Sequence, residues 1–202
     1  MALKRAAAVS TRQQILAAAR TVLNRDGVSA LSTRAVANEA QVNLSLIHYY
    51  FSSREGLLLA LLERMDEELL ERQRAMYGQP AISLADKWRQ AIEFYRQDLK
   101  SGYVRTLLEL AAHGYSNPRM AEEVRRLVSR WRGLLTEVAG QVLAGKKAPM
   151  DAAQLGSMVT SYWFGMEFQH LLGVPEKEGK LWQTAEVIGD LIERWEKGRS
   201  RR

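Results

Sequence analysis

Apolar residues recur along this chain at three- and four-residue spacing, and capping residues, glycines and prolines cut that rhythm into segments. No run alternates with period two beside a hairpin turn, so the pattern predicts an all-α protein without sheet. Ser10 and Gln13 read as a capping box opening a first helix, which carries Ile15, Leu16, Ala19, Val22 and Leu23 on one face and closes at Gly27. Ser32 caps a second, short helix that turns Ala35, Val36 and Ala40 inward, and a third follows Asn43 and ends near Tyr50. Ser52 and Glu55 read as another capping box, from which a helix of roughly 20 residues reaches Gly78-Gln79-Pro80.

Five further helices are expected. Ser83 caps one that ends at Ser101-Gly102, and the next runs from Tyr103 to His113-Gly114. Asn117-Pro118, a cap followed by proline at the first helical position, starts a long helix to about Ala144-Gly145. Asp151 opens the eighth, which stops at Gly173-Val174-Pro175, and the ninth runs from about Lys177 to Gly198.

Helices two and three are each about two turns long, too short to persist without packing. Leu31, Ala35, Val36, Ala40, Val42 and Ile47 give them an inner face against Ile15, Ala19 and Leu23. Two short helices joined by a tight turn and backed by a third form a helix-turn-helix, whose second helix fits a major groove about 12 Å wide. Asn43, Leu44, Ser45, His48 and Tyr49 then remain on the outer face. They suit base edges, thymine methyls and phosphates better than a core.

Charge sharpens this picture. The chain carries a net +6. Within residues 1–54, Lys4, Arg5, Arg12, Arg20, Arg25, Arg34 and Arg54 face only Asp26 and Glu39, whereas residues 55–196 carry an acidic excess. A basic front on an acidic body fits a polyanion at one end. Lys4 and Arg5 read either as a solvated tail or as an arm into the minor groove. The absence of cysteine points to a reducing compartment, the opening residues turn polar too early for a signal core, and the apolar stretch 156–172 is broken by Glu167, Gln169 and His170. A cytoplasmic protein without a membrane partner is expected.

The stretch STRAVANEAQVNLSLIHYYFSSREGLL, residues 32–58, resembles the helix-turn-helix signature of TetR-family transcriptional regulators, and the nine-helix order after it resembles that family along almost the whole chain. The resemblance implies a homodimer that binds palindromic double-stranded DNA through residues 1–53. It also implies that residues 54–202 hold a small-molecule effector and the dimer face. By position, Thr33 and Tyr49 would touch phosphates, Arg34 would lie alongside, Asn43, Leu44, Ser45 and His48 would face the groove, and Arg54 would bind phosphate where the family usually has lysine. Gln41 stands where the turn commonly has glycine, and a left-handed backbone there costs roughly 1 kcal/mol. His48 occupies a place often held by tyrosine.

The later helices are rich in aromatic residues. The candidate pocket comprises Trp88, Tyr95, Tyr103, Leu107, His113, Trp131, Tyr162 and Met166, suited to a largely apolar effector. Leu155, Met158, Leu181, Ile188, Ile192 and Trp195, at helical spacing on the last two helices, are the candidate dimer face. Gly156, Ser157, Thr160, Ser161 and Gly165 would let another helix approach closely.

Two other readings compete. Glu167-Phe168-Gln169-His170 has the Glu-x-x-His spacing of di-iron helical bundles but lacks a second such motif, since Glu109 and His113 are four apart. A helical protein-binding scaffold is the other alternative, and the charge split argues against it. No catalytic residue, cofactor or metal is expected.

Overall fold

A computed structural model describes residues 2–145 and 147–199, with side chains described for residues 10–145 and 147–198. Among the described residues the regular structure is entirely helical. In chain order it comprises α1 (Ala2–Asp26), a 3-10 turn (Val28–Ala30), α2 (Thr33–Glu39), α3 (Leu44–Phe51), α4 (Arg54–Tyr77), α5 (Leu84–Lys100), α6 (Tyr103–Gly114), α7 (Pro118–Leu143), α8 (Ala152–Leu171), the one-turn α9 (Glu176–Gly179) and α10 (Leu181–Arg199).

Most expected caps are present. Ser32 accepts from the Ala35 amide, Asn117 Oδ1 from the Met120 amide, and Asp151 forms a reciprocal capping box with Gln154. Three boundaries differ from the sequence reading. α1 begins at Ala2 instead of Ser10, because the leucine-, lysine- and alanine-rich lead is a strong helix former that Ser10 does not interrupt. The cap of α4 is Ser53, whose Oγ accepts from the Gly56 amide at 3.1 Å. Ser52 is unavailable for that role because it closes α3 with φ +64°. The ninth expected helix is two helices, broken where Lys180 takes φ +48° and resumed with the Glu176 carboxylate accepting from the Trp182 and Gln183 amides.

The chain divides into two compact units, and α4, α5 and α7 each contribute residues to both. The first unit comprises residues 1–67 and 98–124. Its core includes Ile15, Ala19, Val22, Leu31, Val36, Ile47, Leu57, Leu61 and Leu110. α6 therefore packs with the helix-turn-helix: Gly102, at φ +78°, lies so close to Leu23 that a Cβ would meet its side chain at 3.1 Å. Tyr103 donates to the buried Asp66 carboxylate at 2.9 Å.

The second unit comprises residues 68–97 and 125–202. Trp163 sits 5.3 Å from Trp88 and 5.1 Å from Tyr95 between ring centroids, and Trp88 Nε1 donates to the Ala185 carbonyl at 2.8 Å. α7 and α8 touch at Gly156, where an added Cβ would lie 2.6 Å from Thr136 Oγ1. The small residue expected to permit a close helix approach does so there, whereas Gly165 has nothing within 4 Å. No described helix is long and apolar enough to cross a membrane.

Candidate functional site

The helix-turn-helix is fastened at several points. Gln14 Nε2 donates to the Ala40 carbonyl at 2.9 Å, and Arg25 pairs with Glu39 at 2.9 Å, both linking α1 to α2. The turn itself contains Gln41 at φ +53°, the left-handed conformation expected at this position, and the Val42 amide donates to Ala37. Thr33 and Arg34 stand in the first turn of α2, half-buried and exposed respectively.

α3 buries Ile47 and Phe51 and presents Asn43, Ser45, His48 and Tyr49 outward, with Leu44 half-buried. Tyr49 is 78% exposed and meets the Tyr50 ring edge-on at 5.0 Å. Asn43 has a duty the sequence reading did not assign: its Oδ1 accepts from the Ser45 amide at 2.9 Å, capping α3. Only the amide NH2 of that side chain remains to donate to a base. His48 Nδ1 lies 3.3 Å from the Ser52 carbonyl, so the ring is steadied from the end of its own helix.

Arg54 is also committed inside the unit. Its guanidinium donates to the Leu31 and Val28 carbonyls at 2.7 Å each and approaches Glu109 of α6 at 3.5 Å. A lysine could not bridge two carbonyls in this fork geometry, which gives the arginine a structural reason of its own. Beside it, the Glu55 carboxyl is held below its ordinary range by its own backbone N–H and the Ser53 hydroxyl. Lys4 and Arg5 have side chains outside the described residues, as do Arg201 and Arg202.

The second unit holds a cavity of about 710 Å³. Its walls are Tyr77, Leu84, Trp88, the α7 residues Leu135, Val138, Ala139 and Val142, the 147–150 loop, Leu155, Met158, Val159 and Tyr162 of α8, and Ile188, Leu191, Ile192 and Trp195 of α10. The eight pocket candidates do not converge there. Trp88 and Tyr162 line it; Tyr95 and Met166 are buried residues of the same unit that do not, and Trp131 is half-buried away from it. Tyr103, Leu107 and His113 belong to the first unit, because α6 packs with the helix-turn-helix.

Of the six dimer-face candidates, Leu155, Met158, Ile188, Ile192 and Trp195 line the cavity, while Leu181 is buried within its own unit. Exposed apolar side chains nevertheless remain on α8 (Met158, Phe168) and α10 (Val187, Leu191, Trp195), with Leu172 just beyond α8.

Two polar groups stand out against the apolar wall. The Tyr162 hydroxyl is buried with no hydrogen-bond partner among the described residues, and burial pushes its phenol up to about 12, so it remains a neutral donor. Lys147 is the one charged residue among the described residues of the lining. No three described His, Cys, Asp or Glu side chains converge to hold a metal ion; Glu167 is buried, and His170 lies edge-on to Trp182 at 5.9 Å.

Residues 15–61 match the family model described as bacterial regulatory proteins, tetR family. The HTH-type nicotine-responsive transcriptional repressor HdnoR of Paenarthrobacter nicotinovorans is 35% identical over 66 residues, 33% of this chain and 34% of that protein; the matched stretch thus spans about a third of the relative's length. Beyond that stretch the likeness is one of fold. The FadR regulator of Bacillus subtilis, solved in complex with stearoyl-CoA, superposes with a TM-score of 0.68 at 17% identity, over 89% of this chain and 96% of that one. A TetR transcriptional regulator from Legionella pneumophila gives a TM-score of 0.65 at 17% identity, over 88% and 94%. Residues 15–61 thus carry the helix-turn-helix segment of the tetR family of bacterial regulatory proteins, and over nearly nine-tenths of its length the chain has the fold of these regulator structures.

Proposed function

We propose that this protein is a cytoplasmic, non-enzymatic transcriptional repressor that binds a palindromic operator as a homodimer and leaves it when a small, largely apolar effector binds. The observation that carries the reading is the outer face of α3, where Ser45, His48 and Tyr49 are exposed on a helix anchored by Ile47 and Phe51. Thr33, Arg34 and Tyr49 serve phosphates, and Ser45, His48, Leu44 and the Asn43 amide read bases. Arg54 orients the helix pair and reaches phosphate only if its guanidinium is shared. In function the chain divides at residue 53, with DNA reading before it and effector and dimer duties after it.

The exposed apolar side chains of α8 and α10 support pairing of two copies, whose recognition helices then meet half-sites about 34 Å apart. The name of the nicotine-responsive relative and the stearoyl-CoA complex of the structural neighbour support an effector in the second unit. α4 links the two duties, since Tyr77 at its end lines the cavity and Arg54 at its start holds the helix-turn-helix. An effector that prefers the state with displaced half-sites lowers operator affinity by that preference, typically about 1–3 kcal/mol.

Selection of bound sequences from random duplexes tests the reading. The expected result is a two-half-site consensus whose affinity falls steeply with salt as counterions are released. No enrichment, even at low ionic strength, would overturn it.

A further inference from the structure

We propose that the cavity takes an amphiphile with a single negative charge: an apolar body held between α7, α8 and α10, and an anionic head satisfied by Lys147 and Tyr162. The proposal rests on the effector reading above and deepens it by naming the ligand's chemical class.

Size and lining fix the body. A volume of about 710 Å³ lies within the roughly 300–1,000 Å³ of small-molecule sites, and leucine, valine, methionine and tryptophan side chains dominate the wall. A long chain or fused-ring body gains from every buried methylene, whereas a sugar or nucleotide would lose its hydration against such a surface.

Polarity fixes the head. No carboxylate is among the described lining residues, so a cationic ligand finds no counter-ion. The two charged side chains of the adjoining cleft are occupied: Lys87 donates to the Tyr77 carbonyl at 2.8 Å, and Glu196 accepts from the Leu84 and Ala85 amides. Lys147, by contrast, has no ion-pair partner among the described residues. Among the described residues the Tyr162 hydroxyl is a buried donor without a partner, a state that costs free energy and that a ligand oxygen relieves once the ring turns toward it. Lys147 is exposed and hydrated, so a neutral hydrocarbon would leave the Tyr162 hydroxyl unsatisfied and forgo the charge of Lys147, whereas a carboxylate-type head offers an acceptor to the one and a counter-ion to the other. The rival attraction, a quaternary ammonium over the Trp88, Trp195 or Tyr77 rings, is a distinct outcome of the test.

The full chain is titrated with dodecanoate, dodecan-1-ol and dodecyltrimethylammonium below their micelle concentrations, read by calorimetry and by the change in total tryptophan fluorescence; of the five tryptophans, Trp88 and Trp195 line the cavity. Dodecanoate is expected to bind about tenfold or more tightly than either other probe, the scale of a charge-assisted hydrogen bond. Across decanoate, dodecanoate and tetradecanoate, affinity should rise by up to about fourfold per methylene. Lys147→Met should erase the preference for the acid over the alcohol while leaving alcohol binding unchanged. Tyr162→Phe, which keeps the ring, should reduce the preference, whereas Lys177→Met, a charge control on α9, should not.

Equal binding of acid and alcohol, tighter binding of the ammonium probe, absence of saturable binding by all three, or an acid preference that survives Lys147→Met would each overturn the proposal. A parallel mobility-shift assay on the selected operator separates the two readings. Selective, Lys147-dependent acid binding that leaves the operator complex intact sustains the ligand class and defeats the effector role; operator release by the alcohol or the ammonium probe alone does the reverse.

Discussion

Arg54 Nε donates to the carbonyl of Leu31 at 2.7 Å, and Nη2 of the same guanidinium reaches the carbonyl of Val28 at 2.7 Å. The first residue of α4 thereby pins the segment that leads into α2, and the side chain expected to serve phosphate is first a clamp. Arg54→Ala should destabilise the protein by about 1.5–3 kcal/mol, the scale of hydrogen bonds to a charged group, with Arg54→Lys intermediate. Denaturant unfolding measures this. The salt dependence of operator binding separates the two duties: loss of a phosphate contact lowers the slope of log affinity against log salt by about 0.9, and loss of a clamp alone leaves the slope unchanged.

Gln41 carries its left-handed φ of +53° at the centre of the helix-turn-helix turn. An L side chain pays roughly 1–2 kcal/mol there, and glycine relieves that strain while adding about 0.4–1 kcal/mol of unfolded-chain entropy to be lost. Gln41→Gly should therefore leave the melting temperature unchanged or raise it slightly, whereas Gln41→Val, β-branched at positive φ, should lower it by several degrees. A lowered melting temperature for the glycine variant would mean that the Gln41 side chain makes a stabilising contact of its own.

Asn43 combines two possible duties, since its Oδ1 caps α3 through the Ser45 amide. Asn43→Ala removes both the capping oxygen and the amide NH2, so it should cost about 1 kcal/mol of stability and, if the NH2 reads a base, lose discrimination as well. Asn43→Ser retains a capping oxygen and removes the amide NH2. If that NH2 reads a base, Asn43→Ser should keep wild-type stability and lose discrimination at one operator position by about 1–3 kcal/mol. Binding to an operator set with single-base changes, set beside a melting curve, distinguishes the two.

Much of the fold was legible because punctuation and periodicity agreed at Ser32, Asn117-Pro118 and Asp151, where each cap stands ahead of its helix. The misread boundaries have local causes. Ser52 and Ser53 are adjacent candidates for one cap, and the choice fell to the residue not already closing α3. The turn at Lys180 uses a left-handed lysine, for which composition offers no signal. The outward set on α3 followed from spacing, because Ile47 and Phe51 fix which way the helix faces. The cavity walls did not, since an aromatic residue at helical spacing looks the same whether it faces a void or a neighbour. Tyr103 illustrates this: its hydroxyl is spent on Asp66 in the first unit.

Two glycines on α8 should respond to the same substitution with opposite signs. At Gly156 an added Cβ would lie 2.6 Å from Thr136 Oγ1, 2.9 Å from its amide nitrogen and 3.0 Å from its Cα, so α7 itself would have to move. Gly156→Ala should cost about 1–3 kcal/mol, and Thr136→Ala should not rescue it, because two of the three close atoms are backbone. At Gly165 nothing lies within 4 Å, and the ordinary helix preference for alanine should make Gly165→Ala stabilising by up to about 1 kcal/mol. Sedimentation gives this second variant a further use. If α8 of a second copy packs closely over Gly165, the same alanine should weaken the dimer while stabilising the fold, so that the sign of its effect reverses as protein concentration rises through the dimer dissociation constant.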